Sequence, residues 1–124
     1  MRRILIIEDN ADNRMLLQAI LADSYAVTEH TNGPDGLAAL ADADPEIVLL
    51  DISLPGMDGV EVLRHIRADP SWRHLPVIAF TAHAMSNDRE KYLAHGFDDY
   101  ITKPIVDETI LLSSIARLLE RVSA

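Results

Sequence analysis

The chain has 124 residues, a formal net charge of −9 and no cysteine. Its length suits one domain, and the missing thiols exclude disulfides and thiolate metal sites. The negative charge argues against nucleic acid as a partner, and no apolar stretch approaches the ~20 residues that span a bilayer. We therefore expect a cytoplasmic protein that binds neither nucleic acid nor membrane.

Five short apolar segments predict β-strands. In chain order they cover residues 4–7, 25–29, 47–50, 77–80 and 100–102. They lack a regular alternation of apolar and polar residues, although the second segment is weaker than the others. Such runs are typical of a parallel sheet that is covered on both faces.

Five amphipathic segments predict helices, one after each strand. The first ends near Asp23, the second covers 34–41, the third contains Val60, the fourth covers 86–95 and stops at Gly96, and Asp107 caps the fifth. Their apolar residues recur at helical spacing and are expected to face the core. These residues are Met15, Leu16, Ala19, Ile20, Leu37, Leu40, Val60, Leu63, Ile66, Leu111, Ile115, Leu118 and Val122.

The alternation of strands and helices predicts an α/β fold with right-handed crossovers. We expect a doubly wound, flavodoxin-like sandwich of three layers, with a five-stranded parallel sheet in the order 2-1-3-4-5 and five helices. No repeat or linker interrupts the pattern. Residues 1–124 are therefore expected to form a single domain with no output domain attached.

Polar residues follow four of the predicted strands. Glu8 and Asp9 follow the first, Asp51 the third, Thr81 the fourth and Lys103 the fifth. Each has an ordinary explanation when it is taken alone, such as the end of a strand in solvent. Because the carboxyl ends of neighbouring parallel strands share one edge of the sheet, we expect all five residues in one pocket.

The residue types in this pocket indicate phosphoryl transfer. Crowded carboxylates need a cation, and oxygen ligands with open positions favour Mg²⁺. Asp9 and Asp51 would bind the ion directly, and Glu8 through water. A free oxygen of Asp51 could then attack phosphorus, while Lys103 and Thr81 would bind the phosphoryl oxygens.

Four motifs carry a family resemblance. They are IIEDN at 6–10, LDISLPGMDG at 50–59, AFTA at 79–82 and DDYITKP at 98–104. In this order they resemble the CheY-like receiver domains of two-component signalling, along nearly the whole chain. The segments 81–85 and 103–105 look most like receivers of hybrid histidine kinases and stand-alone DivK-type regulators.

The resemblance implies a role for each matching residue. Asp51 would be the phosphoacceptor, Thr81 and Lys103 would bind the phosphoryl group, and Tyr100 would be an aromatic switch. Further implied features are the acidic metal pair Glu8 and Asp9, a metal-binding backbone carbonyl at Ser53, and a cis peptide bond between Lys103 and Pro104.

The resemblance also implies a signalling switch rather than a true enzyme, with only its own phosphotransfer and slow autodephosphorylation. Its phosphodonor would be a sensor histidine kinase or a histidine phosphotransfer protein, and its downstream protein target is unknown. The output surface would comprise helix four, strand five and helix five. Leu112, Ala116 and Leu119 suggest a partner or dimer surface there, unless they only widen the core-facing stripe, so we expect a monomer or a weak dimer.

Three alternatives remain open at the level of the sequence. A Mg²⁺-dependent phosphatase with an aspartyl-phosphate intermediate would usually have a second aspartate two residues after Asp51, where Ser53 stands. A flavin carrier would need a phosphate-binding loop where Glu8 and Asp9 would repel a phosphate. A scaffold receiver that is never phosphorylated would have no need of the intact pocket.

Overall fold

The structure, a computed structural model, describes residues 1–82, 88–105 and 107–123 and not the side chains of 122 and 123. Its elements are β1 (Arg2–Ile7), α1 (Ala11–Leu21), β2 (Tyr25–His30), α2 (Gly33–Ala43), β3 (Ile47–Asp51), α3 (Gly59–Ala68), β4 (Val77–Thr81), α4 (Asp88–His95), β5 (Asp99–Thr102) and α5 (Glu108–Ser123). The predicted beginning of helix four at 86, the loop at 83–85 and the Val122 side chain lie outside the described part.

The five strands form one parallel sheet in the order β2-β1-β3-β4-β5. This order and the five helices confirm the predicted flavodoxin-like fold. The order places β1, β3, β4 and β5 side by side, and these are the strands whose ends carry the candidate residues. Among the described residues, no helix is long and apolar enough to cross a membrane.

Two apolar clusters cover the two faces of the sheet. On one face, Leu40 of α2, Leu63 of α3 and Tyr92 of α4 pack against β1, β3 and β4. On the other face, Leu17 of α1 and Ile115 of α5 pack against the same strands and β5. These clusters make the three layers and hold the strand ends rigidly in place.

The prediction that four apolar residues of α1 face the core is wrong for three of them. Met15 is 71% exposed, Leu16 is 39% exposed and Ala19 also faces solvent. Leu17 and Leu21 are buried instead, since the helix begins at Ala11 and its phase turns these positions toward the sheet. Ile20, the fourth predicted residue, packs at the margin of the cluster.

The apolar residues of α5 mostly face the core, which is the simpler of the two interpretations given above. Leu111, Ile115 and Leu118 are buried as predicted. Leu119 is buried as well, and Leu112 packs against the same cluster, whereas Ala116 is exposed. The apolar surplus is therefore mostly a wide core-facing stripe, and Asp107 caps the helix by accepting a hydrogen bond from the Thr109 amide.

Candidate functional site

Five predicted residues meet at the carboxyl edge of the sheet. Glu8 and Asp9 come directly after β1, Asp51 and Thr81 are the last residues of β3 and β4, and Lys103 follows β5. Carboxylate oxygens of Glu8, Asp9 and Asp51 lie within 4.8 Å of one another. Because Glu8 and Asp51 are buried while Asp9 is exposed, the trio opens to solvent on one side only.

Lys103 is the cation that faces this trio. Its Nζ lies 2.6 Å from Glu8 Oε1 and 3.3 Å from Asp51 Oδ2, and it sits 5.1 Å from the centre of the Phe80 ring. The backbone holds the lysine there, since its amide donates to the Thr81 carbonyl at 2.7 Å. The peptide bond between Lys103 and Pro104 is cis, as predicted. The Lys103 ammonium thus forms ion pairs with two buried carboxylates.

The electrostatics of Glu8 show that the pocket has too little positive charge. The pKa of Glu8 is raised from 4.5 to about 7, mainly by burial and also by the neighbouring Asp51 carboxylate. Lys103 and the Asn10 amide, which donates to Oε2 at 3.1 Å, oppose this effect without cancelling it. Apart from the Lys103 ammonium at 2.6 Å, Glu8 Oε1 has no polar partner among the described residues.

The trio has the donor set of a hard cation. Three carboxylates with a solvent-facing side suit an ion that takes oxygen ligands and retains waters, which is the preference of Mg²⁺. The raised pKa of Glu8 points the same way, because a second cation beside its carboxylate would lower that pKa. The residues present therefore fit a magnesium ion.

Asp51 is held by the loop that follows it. The Ser53 amide donates to Asp51 Oδ1 at 3.0 Å, which leaves Oδ2 facing Lys103. Gly59 packs so closely that an added Cβ would lie 2.5 Å from the Asp51 carbonyl oxygen and 2.8 Å from Ile52 Cα. The sequence marks Gly59 as a turn residue, but only the packing shows that no larger residue fits there.

Two further hydrogen bonds that hold the site were not predicted from the sequence. Arg14 donates from its guanidinium to the Glu8 carbonyl at 2.9 Å, so α1 holds the loop that carries the acidic pair. The Asn10 side chain caps α1 by accepting from the Asn13 amide. Asn10 stands in the quoted motif at 6–10, whereas nothing in the sequence distinguishes Arg14 from other surface arginines.

Of the two proposed switch residues, Thr81 belongs to the site and Tyr100 lies on the neighbouring strand. Thr81 is buried at the end of β4, and Tyr100 is half-buried in β5. The Tyr100 ring stacks on Tyr92 of α4 with 5.6 Å between ring centres and 17° between planes. Burial first, and then nearby Asp88, raise the pKa of Tyr100. Tyr100 thus connects β5 with α4 on the surface next to the pocket.

Together, the parallel sheet in the order 2-1-3-4-5, the acidic trio, the buried threonine and the lysine at its carboxyl edge define a receiver domain. The sequence model of the response regulator receiver domain matches residues 4–116. The chain belongs to this family of two-component signalling domains. Such domains are signalling modules and not enzymes in the usual sense.

Two known response regulators are similar in sequence to this chain. The chain is 42% identical over 117 residues to the response regulator PleD of Caulobacter vibrioides, covering 94% of this chain and 26% of PleD. It thus spans about a quarter of that relative. It is 34% identical over 124 residues to the polar-differentiation response regulator DivK of Brucella anthropi, covering 99% of this chain and 94% of DivK.

A solved receiver domain has a similar structure. The receiver domain of a sensor histidine kinase from Pseudomonas aeruginosa is 33% identical, with a TM-score of 0.86 over 96% of this chain and 98% of that one. That crystal structure has a magnesium ion coordinated in its active-site cleft.

Proposed function

We propose that the protein is a phosphorylation switch in which Asp51 accepts a phosphoryl group with the help of Mg²⁺. The observation that carries this proposal is the setting of the Asp51 carboxylate. It is buried, within 4.8 Å of two other carboxylates and 3.3 Å from the Lys103 ammonium. This arrangement provides a nucleophile, a cation site and a fixed positive charge at one point.

The metal would be held by Asp9, Asp51 and the backbone carbonyl of Ser53, with Glu8 acting through water. When bound, Mg²⁺ would neutralise phosphoryl oxygens and leave one oxygen of Asp51 free. Lys103 would bind a phosphoryl oxygen as a second cation, and the Thr81 hydroxyl would donate a hydrogen bond to another.

The donor would be a phosphohistidine of a sensor histidine kinase or a histidine phosphotransfer protein. An oxygen of Asp51 forms the new bond to phosphorus, the nitrogen–phosphorus bond breaks, and the departing imidazole takes up a proton. Exposed Met15 and Leu16 lie on α1, directly beyond the acidic pair, and offer an apolar patch where a donor protein could pack beside the site.

The output surface would comprise α4, β5 and α5. A phosphoryl group adds about two negative charges, and Thr81 would move toward it, which opens space beside β4 for Tyr100 to turn inward. This change would alter recognition of a downstream protein by a cytoplasmic monomer or weak dimer. Beryllofluoride, a phosphoryl mimic, should then shift amide NMR signals at Thr81 and Tyr100, and shifts confined to the acidic trio would contradict this route.

Labelling with a small phosphodonor tests the central proposal. With Mg²⁺ and acetyl phosphate, intact-mass spectrometry should show one added phosphoryl group that hydroxylamine removes, because hydroxylamine cleaves acyl phosphates. Asp51→Asn should take no label, and the matched variant Asp42→Asn, on the exposed side of α2, should label like the wild type. Full labelling of Asp51→Asn would place the acceptor elsewhere, and continuous turnover of the donor without accumulated label would favour a phosphatase.

A further inference from the structure

A second polar cavity lies at the opposite edge of the sheet, near the amino ends of β4 and β5. Its volume is about 500 Å³, and its lining residues are Arg67, Arg73, His74, Gly96, Asp98 and Arg121. We call it the arginine pocket. Since β4 has five residues, the pocket is separated from the phosphoacceptor edge by about 17 Å of strand.

The charge of the arginine pocket is opposite to that of the chain. It contains three of the eleven lysine and arginine residues and only one of the twenty acidic residues. With His74 neutral, the lining carries a net charge of 3 − 1 = +2, whereas the chain carries −9. A concave surface with excess positive charge attracts small anions.

The inner wall of the pocket is rigid. The Arg67 guanidinium donates to the carbonyls of Leu75 at 2.6 Å and Gly96 at 2.9 Å and to Asp98 Oδ2 at 2.9 Å. Asp98 also accepts from the Val77 amide at 2.8 Å. These bonds fix α3, the start of β4 and the turn before β5, so the pocket is already formed without a ligand.

The outer wall has unused hydrogen-bond donors. The side chains of Arg73 and His74 have no hydrogen-bond or ion-pair partner among the residues that the structure describes. Arg121 gives one guanidinium nitrogen to Asp98 Oδ1 at 2.7 Å, and its side chain stays 60% exposed. Asp98 is thus neutralised by two arginines, and Arg73 remains available for an anion.

An apolar cavity of about 280 Å³ adjoins this wall. Its lining includes Pro45, Trp72 and Pro76, and it shares His74 with the arginine pocket. The carboxylates at its rim, Asp44 and Glu46, are paired with arginines at the start of β1. A flat ring can pack on a tryptophan and prolines in such a cavity.

We propose that the two cavities together bind a mononucleotide. The phosphate lies in the arginine pocket with Arg73, His74 and Arg121, and the base lies on Trp72 in the apolar cavity. Arginine suits the phosphate because its planar group can donate two parallel hydrogen bonds to phosphate oxygens. Neither cavity contains a residue of the phosphoacceptor site, so this binding is independent of labelling at Asp51.

NMR titration of the ¹⁵N-labelled chain with AMP, in buffer without Mg²⁺, tests the proposal. The amide signals of Arg73, His74 and Gly96 and the indole signal of Trp72, the only tryptophan, should shift with AMP. Inorganic phosphate should shift the arginine-pocket signals without the indole, and adenosine should shift the indole more weakly than AMP because it has no phosphate. No shift with AMP, or shifts confined to Asp51 and Lys103, would overturn the proposal.

Paired variants separate specific binding from general attraction. Arg73→Gln removes no internal contact of the described residues, so it should fold normally and weaken AMP binding about tenfold, the loss expected for one charged hydrogen bond. Arg64→Gln is the control, since Arg64 is exposed on α3 and lines neither cavity. Equal affinity in both variants would show that AMP is attracted only by surface charge, and the assignment would be wrong.

Discussion

Asp51 and Asp99 are two buried aspartates of one sheet with opposite surroundings. Asp99, at the start of β5, accepts hydrogen bonds from the Ser114 hydroxyl, the Tyr100 amide at 2.8 Å, Arg89 at 2.9 Å and Arg117 at 2.8 Å. Its partners come from α4, β5 and α5, so this carboxylate fastens three elements together.

Among the residues that the structure describes, Asp51 has fewer partners. It accepts from the Ser53 amide and faces a lysine that it shares with Glu8. The pKa of Glu8, which lies next to Asp51, and the pKa of Asp99 itself show the difference. Burial raises the pKa of Glu8 to about 7, whereas at Asp99 burial is outweighed by Ser114, the Tyr100 amide and two arginines, and the pKa falls below 3.8.

A buried carboxylate with a structural role is thus saturated with donors, whereas the carboxylate that we propose as the phosphoacceptor has few among the described residues. The shortage costs stability in the free protein and makes the site responsive to an added cation. Four predictions test this contrast.

The largest effect is expected for Asp99→Asn. The change leaves Arg89 and Arg117 without their carboxylate, but their side chains are 56% and 62% exposed and water can solvate them. We therefore expect the free energy of unfolding to fall by about 2 kcal/mol, less than the 3–5 kcal/mol of a fully buried pair. Urea unfolding measures this, and a loss below about 0.5 kcal/mol, typical of surface changes, would contradict the role of Asp99.

The pH dependence of the same loss is the second prediction. The pKa of Asp99 lies lower in the folded state than its ordinary 3.8, so its stabilisation is present above that pH. It disappears as the pH falls through the folded-state value. The stability gap between wild type and Asp99→Asn should be constant near neutral pH and should close in acid below pH 3.8, as measured by urea unfolding at a series of pH values. A gap that persists there would mean that the loss comes from packing.

The third prediction is that magnesium stabilises the wild type against unfolding. An ion that binds only the folded state at ten times its Kd adds about 1.4 kcal/mol to the free energy of unfolding. Asp99→Asn should gain the same amount, because its defect is remote from the acidic trio. Asp9→Ala should gain almost nothing and Glu8→Gln an intermediate amount, as read from unfolding with and without MgCl₂. A full gain in Asp9→Ala would remove Asp9 from the metal ligands.

The sequence predicts the polar carboxyl edge of the sheet well, because each of the residues there follows an apolar run. Strand order then brings Glu8, Asp9, Asp51, Thr81 and Lys103 together without any knowledge of side-chain packing. The Asp99 network was not predicted, since it needs the relative positions of helices α4 and α5. A pattern along one strand cannot show which arginine reaches across from another element.

The error at α1 has a similar cause. Residues 15–17 and 19–21 are all apolar, so the spacing fits two phases of the helix equally well. The sheet decides between them by burying Leu17 and Leu21 and leaving Met15 in solvent. In α5 the ambiguity was resolved the other way, because Leu119 of the apparent surplus joins the core.

The smallest effect, and the most direct test of the contrast, is expected for Asp51→Asn without Mg²⁺. When all three carboxylates are ionised, the acidic trio and Lys103 together carry −3 + 1 = −2, and the substitution reduces this to −1. Less repulsion remains, and Lys103 can pair with Glu8 alone, so the free energy of unfolding should rise by about 1 kcal/mol, within the range of single stabilising substitutions. The rise should shrink with MgCl₂, which stabilises the wild type but binds the variant less well, and Asp42→Asn should show no rise. If urea unfolding finds Asp51→Asn destabilised like Asp99→Asn, the two aspartates have the same structural role and the proposed contrast fails.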